Sequence, residues 1–508
     1  MLDKENSLYD TDKKLFHGID KVFHSIKDHY GPRISSRSFL ENQGYLVLSR
    51  ITLVDPYENI GVDFVKAMAK HIHKKYLDGV TTGITLLYTL LKESYFFLDQ
   101  GLSLYKLCFA LRKMSEKLLT SLKKHAWPLK DGNKAKGIVF SALPDLTIAT
   151  EMAEAFSSVG SDGFISLSQM EMSHMQITQG LQIPCGYISP YFISPSPQRI
   201  LTLSQPRVFV TDKKISTFLS FLPLLQELRE HGEHLLIFCN GIDPDVLSTF
   251  TVNKLEDLLD IVVVDLSRHP DLDPSLFEDI TLFTGTNVFS QDFSPTIRLP
   301  ERVSLGSCAS IKISEEETII IRGHSVSEVL ALKIHQIEEE IRTSSCQERK
   351  TTLIKRKHRL QSSVAIVPVR EENKLFYSLA LSTLTAAVDK GYIPGGGAGL
   401  FYASLHLCDQ EELSEEERAA IKILHMCCRA PLERLISNMK LESQVVLDKL
   451  LSLSTPSLGM NVISQQIEDL IASGILDPLS KIEDIFSLAL ETGLKILSSK
   501  VIITHADK

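Results

Sequence analysis

A chain of 508 residues with 44% hydrophobic and 23% charged residues is long enough for several domains and has the composition of a globular protein. Its formal net charge of −9 comes with no strongly basic block, which argues against nucleic acid as a partner, because phosphate binding needs clustered Lys and Arg. Eight scattered cysteines without a CxxC pair, and no run near the roughly 18 apolar residues of a membrane helix, predict a reduced, cytoplasmic protein with no membrane partner.

In chain order, the start Met1-Leu2-Asp3-Lys4-Glu5 is polar and lacks the apolar core of a signal peptide. Residues 45–54, rich in Val, Ile, Leu and Thr, read as a strand or hairpin. Residues 59–125 read as helical. Ile60, Val62, Phe64, Val65, Met68 and Ile72 recur at helical spacing. A second helix starts near Thr81 and carries Leu86, Leu87, Leu90 and Leu91, and a third covers Leu104 to Leu122. After a Pro/Ser cluster at 189–197 come three short β-rich runs, at 207–210, 235–238 and 261–265, with helical segments between them. That alternation predicts an α/β domain with parallel strands. Helices return from about residue 325. Within them the basic run Lys355 to Arg359, following Glu338-Glu339-Glu340, reads as a solvated, charge-laced helix. Helical ends around an α/β middle predict one domain built from both termini, with another inserted into it.

Asp78-Gly79-Val80-Thr81-Thr82-Gly83 falls between two predicted helices. Glycines allow close backbone approach, and the free amides of a helix start form an anion site. Asp78 suits a magnesium ion, and Thr81 and Thr82 offer hydroxyls. The same residue types also make an ordinary helix cap. Pro394-Gly395-Gly396-Gly397 is a second glycine-rich turn, or a plain loop, leading into a helix from Ala398 to Leu405. Gly31-Pro32 is a weaker third contact. GxxxxGK[ST], GxGxxG and GxSxG are all missing, so P-loop, Rossmann and nucleophile-elbow readings fail. His71 and His73 form an HxH pair without a further ligand at helical spacing and read as a solvated helix face rather than zinc ligands.

Taken together these motifs resemble the group I chaperonins, the GroEL family. Asp78-Gly-Val-Thr-Thr82 is similar to the family's DGTTT motif, and Val54 to Gly61 resembles its segment ending in ENxG. Gly186 to Phe192 (GYISPYF), Thr211 to Ser216 (TDKKIS), the glycine triplet and Gly474 to Pro478 (GILDP) follow in the family's order. The resemblance implies an α/β multidomain, GroEL-like three-domain subunit. Its helical equatorial domain would comprise 1–124 and 390–508, its intermediate domain 125–178 and 365–389, and its apical α/β domain 179–364.

The resemblance further implies an ATP pocket, with Mg2+ on Asp78, which would also be catalytic. Contacts carried over by position are His29, Tyr30, Gly31, Pro32, Asn42 and Asp78 through Gly79, Val80, Thr81 and Thr82. Gly396, Asn461, Val462, Ile463 and Asp477 complete the set, with Asp477 near base and ribose. Non-native polypeptides and a GroES-type lid co-chaperonin would bind an apolar apical strip: Tyr187, Tyr191, Phe192, Leu222, Leu225, Leu247 and Val252. Homo-oligomeric seven-membered rings, or mixed rings, and a role in the stress response are likewise implied.

The family's catalytic carboxylates are incomplete here. Its KDG turn reads Asn42-Gln43-Gly44, and the acidic position before the glycine triplet is Leu379. Neither Gln43 nor Leu379 can act as a general base, and loss of one typically costs about 10²–10⁴ in rate. Val80, His29, Tyr30, Cys185 and Ser362-Ser363 are further departures. The expectation is a chaperonin subunit that assists folding with ATP; the alternative is an ATPase-deficient holdase, scaffold or modulator of mixed rings.

Overall fold

The computed structural model describes residues 2–31, 44–161, 163–168, 174–193, 200–268, 273–294, 299, 301, 304–323, 327–344, 346–407, 413–453 and 455–498. The chain divides into two compact units, Met1–Ser157 with Val369–Lys508, and Ser158–Pro368. The segments expected to form an intermediate domain are shared between them: 125–157 and 369–389 fall in the first unit, 158–178 and 365–368 in the second.

The first unit opens with α1 (Leu2–Ile26), α2 (Gly44–Ser49), α3 (Pro56–Tyr76), α4 (Val80–Asp99), α5 (Leu104–Lys124), α6 (Gly132–Ala142) and α7 (Leu146–Val159). Asp55 caps α3, accepting from the Tyr57 amide at 2.9 Å, and Pro56 sits where its missing N–H costs nothing. Val62, Val65, Met68 and Ile72 are buried on one face of α3, as the spacing predicts, with Ile60 and Phe64 half-buried beside them. The strand or hairpin expected at 45–54 does not form. Its first residues make the short helix α2, where Leu48 is buried and Tyr45 stacks on His73 at 4.4 Å. The β-branched composition reflects half-buried packing against helices, and tertiary context overrides the strand propensity.

The second unit holds β1 (Phe164–Ser168), β2 (Gln176–Ile183), β3 (Leu201–Ser204), β4 (Arg207–Val210), α8 (Leu222–Glu230), β5 (Leu235–Cys239), α9 (Pro244–Leu255) and β6 (Ile261–Asp265). It continues with α10 (Ser275–Thr284), β7 (Gly306–Ile313), β8 (Thr318–Gly323), α11 (Ser327–Thr343), α12 (Gln347–Gln361) and β9 (Ser363–Pro368). Among the described residues these strands form one nine-stranded sheet, ordered β1-β9-β2-β8-β7-β4-β5-β6 with β3 on β7. The three β-rich runs read from sequence are β4, β5 and β6, and they pair in parallel. Every residue of β5 and β6 is buried, which is why these strands read as continuous apolar runs rather than alternating ones. Cys185 is buried here and donates its thiol to the Asp265 carbonyl at 3.2 Å, while Ser362 Oγ donates to the His358 carbonyl at 2.9 Å.

The basic run on α12 differs from its reading. Lys357 does lie on the charge-laced face, 2.7 Å from Glu338. Arg356 and Arg359 instead turn inward to Asp279 of α10, which is fully buried: Arg356 Nε donates to Oδ1 at 2.8 Å and Arg359 Nε to Oδ2 at 3.0 Å. Each carboxylate oxygen thus faces its own guanidinium, a geometry that offsets the cost of taking the charges from water.

The chain returns to the first unit through α13 (Lys374–Lys390), β10 (Tyr392–Pro394), α14 (Ala398–Leu405), α15 (Glu415–Asn438), α16 (Ser443–Leu453), β11 (Leu458–Asn461), β12 (Gln466–Asp469), β13 (Leu476–Pro478) and α17 (Leu479–Ser498). Helix α4 packs against both α15 and α17. Cys427 and Cys428 of α15 are buried free thiols in this core, and Cys427 donates to the Leu86 carbonyl at 3.1 Å.

Truncating Asp279 to Ala removes the buried carboxylate shared by two inward guanidiniums, leaving Arg356 with Glu278 and Arg359 with Ser275 and Asp273. This should destabilise the second unit by about 3–5 kcal/mol, read as a lower denaturant midpoint.

Candidate functional site

The turn between α3 and α4 forms because Leu77 (φ 57°) and Gly79 (φ 88°) both take left-handed backbone. At Gly79 a side chain would be strained by the left-handed backbone, and its Cβ would lie 2.4 Å from Ile485 Cδ1. Gly79 itself is the N-cap of α4, and no side chain caps that helix. The amides of its first turn therefore lack intrahelical acceptors and present a partial positive charge. Asp78 does not serve as the cap. Its carboxylate accepts the Gly79 amide and contacts the ammonium of Lys481 on α17. The helix-cap reading of this run gives way.

The second glycine turn is brought opposite by pairing of β10 with β13, which sets Ile393 across from Asp477. Gly395 donates to the Ile475 carbonyl at 3.0 Å, and Gly396 and Gly397 turn the chain with φ of 61° and 81°. The helix beyond them has the bounds read from sequence, Ala398–Leu405. Between β11 and β12 the chain turns on Asn461, whose Oδ1 accepts the Ile463 amide at 2.8 Å.

These three turns enclose a cavity of about 570 Å³ within the first unit. Tyr30, Gly31, Asp78, Gly79, Val80, Thr81 and Thr82 line one side of the residue set carried over by position. Gly396, Asn461, Val462, Ile463 and Asp477 line it as well. Pro32, Asn42 and Gln43 lie outside the described residues, and His29 is described by its backbone alone. Leu379 is buried in α13 and is not among the lining residues.

Charge in the cavity is organised around Lys481. Burial raises the Asp78 carboxyl, but the ammonium and the Gly79 amide outweigh it and hold its pKa below the ordinary value. Burial pushes Asp477 up to about 6, against the lowering pull of Lys481 and with a further push from Asp78. Tyr30 accepts the Thr82 hydroxyl at 3.4 Å, and burial drives its own phenol well up. His73 also lines the cavity, where burial lowers its pKa; only His71 of the HxH pair is on the solvated face.

Sequence reasoning missed Lys481, Lys134, Lys136 and the Tyr45–His73 stack, all of them lining residues. Lys481 stands four residues after Asp477 at the start of a helix, a spacing that places both at one helix end.

The apolar strip in the second unit divides. Phe192, Tyr187 and Leu225 are 0%, 3% and 3% exposed and belong to the core, correcting their assignment to a surface. They are large apolar side chains beside a buried sheet, where burial stabilises most. Leu247 is half-buried, while Tyr191, Leu222 and Val252 are exposed, as are Leu219, Leu255 and Leu258, which the sequence reading omitted.

Residues 34–507 match a single family description, TCP-1/cpn60 chaperonins. The chain belongs to the TCP-1/cpn60 chaperonin family. This chaperonin is 30% identical over 478 residues to Chaperonin GroEL 3 of Protochlamydia amoebophila (strain UWE25), covering 92% of the chain and 89% of that relative. Its fold is shared with crystal structures of the chaperonin gp146 from the bacteriophage EL 2 (Pseudomonas aeruginosa) in the presence of ATP-BeFx. Two crystal forms give TM-scores of 0.70 and 0.61 at 16% identity, over 98% of both chains.

Asp477 holds its proton more tightly in the folded chaperonin than in the unfolded chain, whose carboxyl titrates near ~3.9. The stability this contributes is full below that value and is lost as pH rises through about 6. Denaturant midpoints of the wild type and Asp477→Asn, compared at about pH 5 and about pH 7, should show the wild type losing ground to the variant at the higher pH. A pH-independent difference would mean that the carboxyl titrates normally.

Proposed function

We propose that this chaperonin, a protein-folding member of its family, binds ATP in the cavity of the first unit and non-native polypeptides on the second. The observation that carries the reading is the convergence of the uncapped α4 start, the glycine turn at 395–397 and Asp477 on one cavity. Uncapped amides and left-handed glycines admit phosphate oxygens close to the backbone, and Lys134, Lys136 and Lys481 outnumber the two lining carboxylates, Asp78 and Asp477. Val80 supplies no hydroxyl, so Thr81 and Thr82 carry that part alone.

Polypeptide capture rests on the exposed apolar side chains Tyr191, Leu222, Val252 and Leu255. Unfolded chains share apolar surface rather than sequence, so exposed aliphatic groups bind them broadly. In this reading 1–124 with 390–508 is the equatorial part, 125–178 with 365–389 the intermediate part and 179–364 the apical part. Ring assembly, a lid co-chaperonin and a cytoplasmic setting belong to the same proposal, as what the family implies.

Turnover is the step the side chains support least. Leu379 offers no base and lies in the core, and Asp78 is committed to Lys481. Purified protein should therefore bind a fluorescent ATP analogue yet release phosphate about 10²-fold or more below a chaperonin with a complete carboxylate set. Failure to bind the analogue overturns the nucleotide reading, and full-rate release lost in Asp78→Ala overturns the slow-turnover reading. For the second unit, Leu222→Ser combined with Val252→Ser should weaken capture of an unfolded client about tenfold. Unchanged capture would rule these side chains out of the client surface.

A further inference from the structure

Lys481 is 7% exposed, yet it lines a cavity that also opens onto Asp78, whose side chain is 37% exposed. Its ammonium contacts Asp78 Oδ2 and attracts the Asp477 carboxylate, which lines the same cavity. An ion pair buried purely for structure would be closed over by apolar packing. This one sits at the first turn of α17, facing the uncapped start of α4 across the same space.

The family implies a magnesium ion on Asp78, and among the described residues the donors present do not fit one. A hard divalent ion needs free carboxylate oxygens, usually one or two with phosphate oxygens and water completing the shell. Here Asp78 Oδ2 is already in direct contact with the Lys481 ammonium, a positive charge that competes with a metal ion for it. A nucleotide polyphosphate does fit, since the cavity offers amides, glycine turns and ammonium groups.

We propose that Lys481 is the resident cation of this cavity, standing where a divalent metal would stand beside a bound phosphate, so that the site takes a nucleotide polyphosphate without a metal ion. The proposal rests on the nucleotide reading above for its ligand, and on the Lys481–Asp78 pair for its metal independence. Like a metal, the ammonium carries positive charge to the phosphate while anchored on a carboxylate. Unlike a metal, it is covalently part of α17 and is not lost to a chelator.

The test uses the full chain, wild type and Lys481→Met, with a fluorescent ATP analogue in excess EDTA or in millimolar magnesium, and with Mn2+ alone followed by electron paramagnetic resonance. In the wild type, chelation should change nucleotide affinity by less than about twofold, and Mn2+ alone should not bind. In Lys481→Met, Asp78 is released, Mn2+ should bind, and nucleotide affinity should become metal-dependent by about tenfold or more. Loss of nucleotide from the wild type in EDTA, or binding of Mn2+ by the wild type alone, overturns the proposal. Should the variant fail to fold, those two wild-type measurements still decide. If the wild type binds no nucleotide under either condition, the nucleotide reading fails, and the Mn2+ measurement separately decides whether Lys481 excludes a metal.

Discussion

Burial of helix α4 between α15 and α17 is the constraint on which the first unit depends, because it fixes where the start of that helix can be. The packing is close, against α3 as well as α17. A Cβ at Gly83 would come within 2.6 Å of Ile72 Cδ1, and one at Gly493 of α17 within 2.5 Å of Leu90 Cδ2. Interiors are packed as densely as organic crystals, so helices held this closely are positioned to a fraction of an ångström. The uncapped amides at Val80 to Thr82 inherit that precision, and so does Lys481, which rides on α17 toward Asp78.

Much of this was legible in the sequence, and the reason differs from element to element. Helix α4 and the helix Ala398–Leu405 announced themselves because glycine marks their starts and apolar residues their buried faces. Strands β4 to β6 were legible because strands covered on both faces become continuous apolar runs. The run at 45–54 misled because the apolar residues Tyr45, Val47 and Leu48 serve a short helix packed on its neighbours as well as a strand, and six residues are too few for periodicity to separate the two. Lys481, Arg356 and Arg359 were invisible as inward groups, since a cationic residue reads as solvent-facing until its partner is known. Asp78 lies 403 residues from Lys481, and Asp279 lies 77 from Arg356 and 80 from Arg359 along the chain. Periodicity reports which face of an element is buried, never what the far end of the chain places against it.

Phe192 and Leu225 make the same point about surfaces. A family resemblance carries residue positions, but it cannot carry exposure, which depends on each neighbour's size. Leu219, Leu222, Val252 and Leu255 are exposed and, in the proposed reading, are the groups left for a client, while the buried ones hold the sheet. Display and anchoring are thus divided between adjacent residues of the same short segments.

The inserted unit enters on β1 and leaves on β9, and these strands are parallel neighbours, with Phe164 beside Val364 and Ser168 beside Pro368. The start of β1 and the end of β9 are thus separated by about one five-residue strand, on the order of 15 Å. A short flexible bridge of a few residues spans that gap, and closing such a loop costs little conformational entropy. The arrangement makes the inserted unit a cassette. Close ends of this kind are what allows a unit to be inserted into a host chain, exchanged, or circularly permuted by joining its own ends.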